Sequence, residues 1–188
     1  MSEPIPETIV DVELVRLIEN AAKKALTKLF DEHDENFYYI TLATFGECVC
    51  PVISAWSVEA LEREASLKGY SEDEKADLKW DYASSPYYAF GYDEFFGDVR
   101  KAFDARDEKI EDADDDEYDR EMSIRLNSME KAMQDLDLKG LFGQGDKRLG
   151  IVINAEYMPP DYSNTERAKR LNPEQALAEW LEEAAEVE

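Results

Sequence analysis

The sequence predicts an α+β fold: a small, mostly antiparallel sheet flanked by several helices, one of them a long N-terminal helix. Three stretches carry that reading. From about Glu7 to Asp31, Leu14, Leu17, Ile18, Ala21, Ala25, Leu29 and Phe30 recur at three- and four-residue steps and lay an apolar stripe on one helix face. Phe37 to Phe45, FYYITLATF, is dense in aromatic and β-branched residues and reads as a strand, with Gly46-Glu47 turning the chain into an antiparallel partner from Cys48 to Trp56. Between Trp80 and Phe103 the chain gathers nine of its twenty-one aromatic residues. Side chains that bury so much area anchor cores, so sheet and helices are expected to meet there.

The remaining elements follow in order. Pro4 and Pro6 make an extended lead-in to the first helix. Asp31 to Asn36 is a polar connector holding His33, the chain's single histidine, which is expected to be a solvated loop residue. Pro51 cannot donate to a ladder, which places the second strand at an edge or a bulge. Ser57 starts a helix that runs to about Lys68 and stops at Gly69. Ser71-Glu72-Asp73-Glu74 opens a short helix, and Ser84-Ser85-Pro86 breaks the chain.

Tyr92 to about Ile110 is helical by spacing, with Phe95, Phe96, Val99 and Phe103 on one face. Asp104 to Glu121 holds eleven acidic and three basic residues and is expected to connect two helices through solvent. Helical spacing resumes from Glu121 to Leu138 through Met122, Leu126, Met129, Met133 and Leu136. A strand follows from Leu149 to Tyr157, then a short helix from Thr165 to Leu171, then a last helix with Asn172 as cap and Pro173 at its first position.

At 188 residues the chain suits a single domain, 1–188, able to bury roughly 70% of its unfolded surface. The N-terminal residues lack a basic stretch leading into an apolar one, and no apolar run approaches the roughly 20 residues of a spanning helix. A cytoplasmic protein that leaves membranes alone is expected. Cys48 and Cys50, two apart in the second strand, point the same way as reduced thiols; a C-x-C without further Cys or a nearby His makes no zinc site.

Forty-five acidic against twenty-one basic residues give a formal charge of −24. Such a field repels nucleic acid and attracts basic partners. Two motifs come close to known chemistry and miss it. Asp112 to Glu117 resembles a calcium loop, but the sixth position is Glu117 rather than Gly and the twelfth Ser123 rather than Glu. Gly140 to Lys147 resembles a phosphate loop, but Asp146 follows Gly145 where lysine is required. No metal and no cofactor is expected.

The long N-terminal helix, FYYITLATFGECVCPVISAWSVEAL, the Trp80-Asp81-Tyr82-Ala83 segment and the helix GYDEFFGDVRKAF together resemble a bacterial family known as domain of unknown function 4303, over about Val10 to Tyr157. These motifs are aromatic and apolar, so the resemblance implies a fold more than a chemistry, and it carries no catalytic residues across. Small acidic α+β proteins of this kind resemble immunity partners of secreted bacterial toxins. The resemblance therefore implies a non-catalytic protein that inhibits a basic toxin domain, for instance a nuclease.

On that expectation Asp112, Asp114, Asp115, Asp116 and Glu117 steer the partner, and Tyr87, Tyr88 and Tyr92 are candidate aromatic anchors. No catalytic residue is expected. Two alternatives stay open: an accessory or structural protein, and an enzyme using Asp93, Glu94 and Asp98 as acid and base.

Overall fold

A computed structural model of the chain describes residues 9–187. Helix α1 spans Val12–Glu32, and Asp11 caps it by accepting the Leu14 N–H at 2.9 Å. The sequence places its start near Glu7, outside the described residues. The apolar stripe is buried as its spacing predicts, from Leu14 through Ile18, Ala22 and Ala25 to Leu29.

Strands β1 (Phe37–Phe45), β2 (Val52–Ser57) and β3 (Val152–Met158) form one sheet in the order β2-β1-β3. β1 pairs antiparallel with β2 and parallel with β3, so the sheet is mixed rather than mostly antiparallel. The cause is the connection: between β2 and β3 the chain makes a long helical excursion, which lets it re-enter the sheet in the direction of β1. The central strand is buried without interruption from Tyr39 to Thr44, because both faces are covered.

The second strand is shorter than its expected Cys48–Trp56. Gly46 and Cys48 both take positive φ, at 58° and 49°, and pairing begins only after Pro51. Cys48 and Cys50 therefore lie in a buried connection rather than at alternate strand positions.

Helices α2 (Val58–Lys68) and α3 (Glu72–Leu78) begin on side-chain caps from Ser57 and Ser71, and Ser71 shares a reciprocal capping box with Glu74. A single 3-10 turn, Tyr82–Ser84, follows. The helix expected from Tyr92 to Ile110 is two: α4 (Tyr92–Phe95) and α5 (Gly97–Ile110), parted at Phe96. Gly91 precedes them at φ 70°, where a β-carbon would stand 2.9 Å from Ala25 of α1.

Helix α6 runs Asp115–Leu138, six residues longer at its start than the apolar spacing shows, because Asp114 caps it and acidic residues fill its first turn. Most of the acidic 104–121 segment is thus helical, and only 111–114 links α5 to α6.

A turn of helix, α7 (Asp146–Leu149), leads into β3, followed by α8 (Tyr162–Leu171) and α9 (Glu174–Glu183). Helix α1 packs along α6, while α6, α8 and α9 pack against β3. Pro173, not Asn172, stands at the start of α9. The Asn172 side chain is turned back onto β3 instead.

Candidate functional site

The acidic segment folds into a groove. The last turn of α5, the 111–114 link and the first turn of α6 form its walls, and the turn after β1 closes one side through Glu47. The cavity is about 590 Å3. Five carboxylates line it, from Glu47, Asp107, Glu108, Glu111 and Asp115, with Ile110, Ala113 and Tyr118 supplying the apolar surface and no lysine or arginine among the lining residues. Asp107 is partly neutralised by the buried Arg125 guanidinium at 2.8 Å, which Glu121 also holds at 2.9 Å. Burial, and then the negative charge of Glu47, raise the Tyr118 phenol above its ordinary value, so it stays a neutral donor.

Of the acidic residues singled out from sequence, Asp115 lines the groove, while Asp112, Asp114, Asp116 and Glu117 are exposed on the same link and first turn. Asp114 also has a structural task, accepting the Glu117 N–H at 2.9 Å as helix cap. Among the described residues no group of three or more His, Cys, Asp or Glu side chains is placed to hold a metal ion.

The three tyrosines do not join the groove. Tyr87 is 5% exposed and faces inward. Its hydroxyl donates to Glu35 at 2.8 Å and accepts from Arg63 at 3.2 Å. Tyr88 is 41% exposed and leans on Tyr82. Tyr92 is half-buried, stacked on Phe96 with the Arg100 guanidinium over its face, and burial pushes its phenol up to about 12. The aromatic side chain in the groove is Tyr118, which the sequence reading passed over although it is the sole aromatic residue of 104–121. Glu47 carries no such signal, since only the β1 turn brings it there.

A second polar constellation lies at the opposite end of β1. His33, which reads as a solvated loop residue in sequence, is half-buried at the C-cap of α1, its ring 4.7 Å from that of Tyr87. Glu35 beside it accepts from Ser57, Tyr87 and Arg63. Burial works to raise the Glu35 carboxyl, but these donors outweigh it and hold the group below the usual range, while burial and then Glu35 raise the Tyr87 phenol. The pair is thus a fixed carboxylate and a neutral phenol, suited to bracing rather than to moving a proton.

A third group sits under the sheet. Glu156 of β3 is buried beside the hydroxyls of Tyr39 and Thr41, yet its Oε2 and both hydroxyl oxygens close no hydrogen bond of good geometry. Burial pushes the Glu156 carboxyl up to about 7.

Residues 18–173 match the family model described as domain of unknown function (DUF4303). The chain belongs to the DUF4303 family. Neither a curated protein nor a solved structure matches it. The matched stretch of this DUF4303 chain takes in the groove, the Glu35 constellation and Glu156 alike, and stops one residue after Asn172.

Proposed function

We propose that the protein is a non-catalytic, acidic binding protein of the cytoplasm that inhibits a basic bacterial toxin domain, of the kind that grips phosphates, such as a nuclease. The observation that carries this reading is the groove: five carboxylates around an aromatic and aliphatic floor, on a chain of charge −24. An enzyme that holds a polyanion presents Lys and Arg side chains in a cleft. Those side chains have aliphatic stems for Ile110 and Tyr118 and cationic ends for the carboxylates around them. Asp112, Asp116 and Glu117, exposed beside the groove, extend the field that speeds encounter.

The alternative of a carboxylate enzyme has less support. Asp93, Glu94 and Asp98 are each paired with a different cation, Arg100, Lys28 and Lys101, on exposed helix surface. That arrangement favours solubility over a converging acid–base pair. An accessory role without a basic partner remains the competing reading, and one experiment separates the two.

Tagged protein is used to capture partners from lysate of the source organism at low and at moderate salt, beside a variant carrying Asp112→Lys, Asp115→Lys and Asp116→Lys. One basic protein, held stoichiometrically by the parent chain and lost or slowed by the variant and by salt, is the expected result. Recovery of no stoichiometric partner, or of one indifferent to the charge reversal, sinks the proposal.

A further inference from the structure

Helix α6 spans 24 residues, on the order of 36 Å, with the acidic groove at its start. Beyond its other end a cavity of about 500 Å3 opens between the C-terminus of α1, the start of β1 and the loop around α7. Its size falls in the range of small-molecule sites, roughly 300–1,000 Å3. The inner wall is aromatic: Phe30, Phe37, Tyr38 and Phe142 line it, the Phe30 and Phe37 rings 5.2 Å apart.

This wall is built rather than left over. Glu35 is fixed by three donors, and His33 lies against both Tyr87 and Phe90. Asn36 bonds Glu59 through its backbone N–H at 2.8 Å and its side-chain amide at 2.5 Å. Glu35 and Asn36, held by these bonds, fix the segment that leads into Phe37, and the Tyr38 hydroxyl is anchored on the Lys79 carbonyl at 2.6 Å, which favours one shape for the pocket.

The polar groups at the mouth are unspent. Asp34 and Asp146 both line the cavity and are exposed, and neither carboxylate makes a hydrogen bond or ion pair among the described residues. Lys147 is the single lysine of the lining, its stem laid across Gly143 so closely that a β-carbon there would stand 2.8 Å away. Glu35 is already committed to Ser57, Tyr87 and Arg63, so the carboxylates left open in the lining are Asp34 and Asp146, beside one lysine, Lys147.

We propose that this cavity binds a small aromatic amine, its flat apolar body against the half-buried Phe30, Phe37 and Tyr38 rings and its protonated amine at the Asp34 and Asp146 carboxylates. Apolar area supplies the attraction, and the acidic mouth sets the sign of charge that is accepted. The site is separate from the acidic groove and stands whether or not a basic protein docks there.

His33 is the chain's only histidine, so its imidazole C–H resonances report on the cavity without assignment ambiguity. Intact protein at fixed neutral pH is titrated with tryptamine, tryptophol and indole-3-acetate, three ligands of one ring and three charges. The expected result is a saturable shift with tryptamine, which binds about ten-fold more tightly than indole-3-acetate, the equivalent of one charge-assisted contact. The double variant Asp34→Asn, Asp146→Asn, altered at two exposed positions, then loses most of that preference while tryptophol binding is unchanged. No saturable shift with any probe, equal affinity for all three, or a charge preference untouched in the variant each overturns the proposal.

Discussion

The side-chain amide of Asn172 pairs with the backbone of Ile153 in both directions, accepting its N–H at 2.9 Å and donating to its carbonyl at 2.6 Å. Ile153 lies on β3, whose other edge pairs with β1, so Asn172 occupies the place of a neighbouring strand. It is not alone. Arg148 donates to the Ile151 carbonyl at 2.6 Å, Arg167 to the Ala155 carbonyl at 2.6 Å, and Asn164 repeats the two-way pairing on Tyr157 at 2.8 and 2.9 Å. Four side chains thus satisfy a buried strand edge that would otherwise expose unpaired groups or recruit another chain.

Asn172→Ala leaves a buried N–H and a buried carbonyl without partners, at a cost of about 1–3 kcal/mol for each group left unsatisfied. Urea unfolding is expected to show a loss of at least about 2 kcal/mol with an unchanged slope. A loss below about 0.5 kcal/mol for the alanine variant would mean that water replaces the amide and that the edge is not sealed.

How far such features are legible in sequence depends on whether their signal is local. The α1 stripe, the Ser57 and Gly69 stops and the β1 composition are local, and each appears where its pattern predicts. Asn172 before Pro173 is the strongest cap signal in the C-terminal third, yet its amide serves Ile153, nineteen residues away. The parallel pairing of β3 is likewise set by how the helical excursion returns, not by the composition of the strand. The groove was half legible: the acidic run shows in one dimension, but Glu47 joins it only through the fold.

The groove carries a cost that a purely structural segment would shed. Glu108 lies in the last turn of α5 and Glu111 at its C-cap, where carboxylates meet the negative end of the helix as well as each other. Glu108→Gln with Glu111→Gln is expected to raise stability by about 0.5–1 kcal/mol at low ionic strength, and by less in high salt. Thermal unfolding at two salt concentrations checks it. A destabilised or salt-indifferent variant would show that these carboxylates do not repel one another in the fold.

Glu156 gives the protein a pH dependence of unusual direction for a carboxyl. Its folded value is raised by burial to about 7, from 4.5, so the folded state binds the proton more tightly than the unfolded one. The stability tied to that proton is fully present below about pH 4.5 and is lost as pH rises through about 7, on the order of 3 kcal/mol in all. Glu156→Gln keeps a neutral side chain of the same shape. Unfolding free energies across this window are expected to show the parent chain falling relative to the variant as pH rises; parallel curves would mean that the carboxyl is hydrated and not raised.

Glu35 works in the opposite sense. Its carboxyl is held low because the donors from Ser57, Tyr87 and Arg63 overcome the burial that opposes them. The stability it contributes is present above its unfolded value and is lost as pH falls through the lowered one. Tyr87→Phe removes one donor while the ring goes on filling its place against His33 and Phe37. We expect a loss of about 1 kcal/mol at neutral pH, shrinking as the solution is acidified and Glu35 takes up a proton in parent and variant alike. The single His33 offers a second reading of the same change, because its Nδ1 lies 3.3 Å from the lost hydroxyl. If neither the acid limb of the unfolding curve nor the His33 resonance moves, the phenol contributes nothing to holding this carboxylate, and the rigid wall assigned to the neighbouring cavity must be attributed to Arg63 and Ser57 alone.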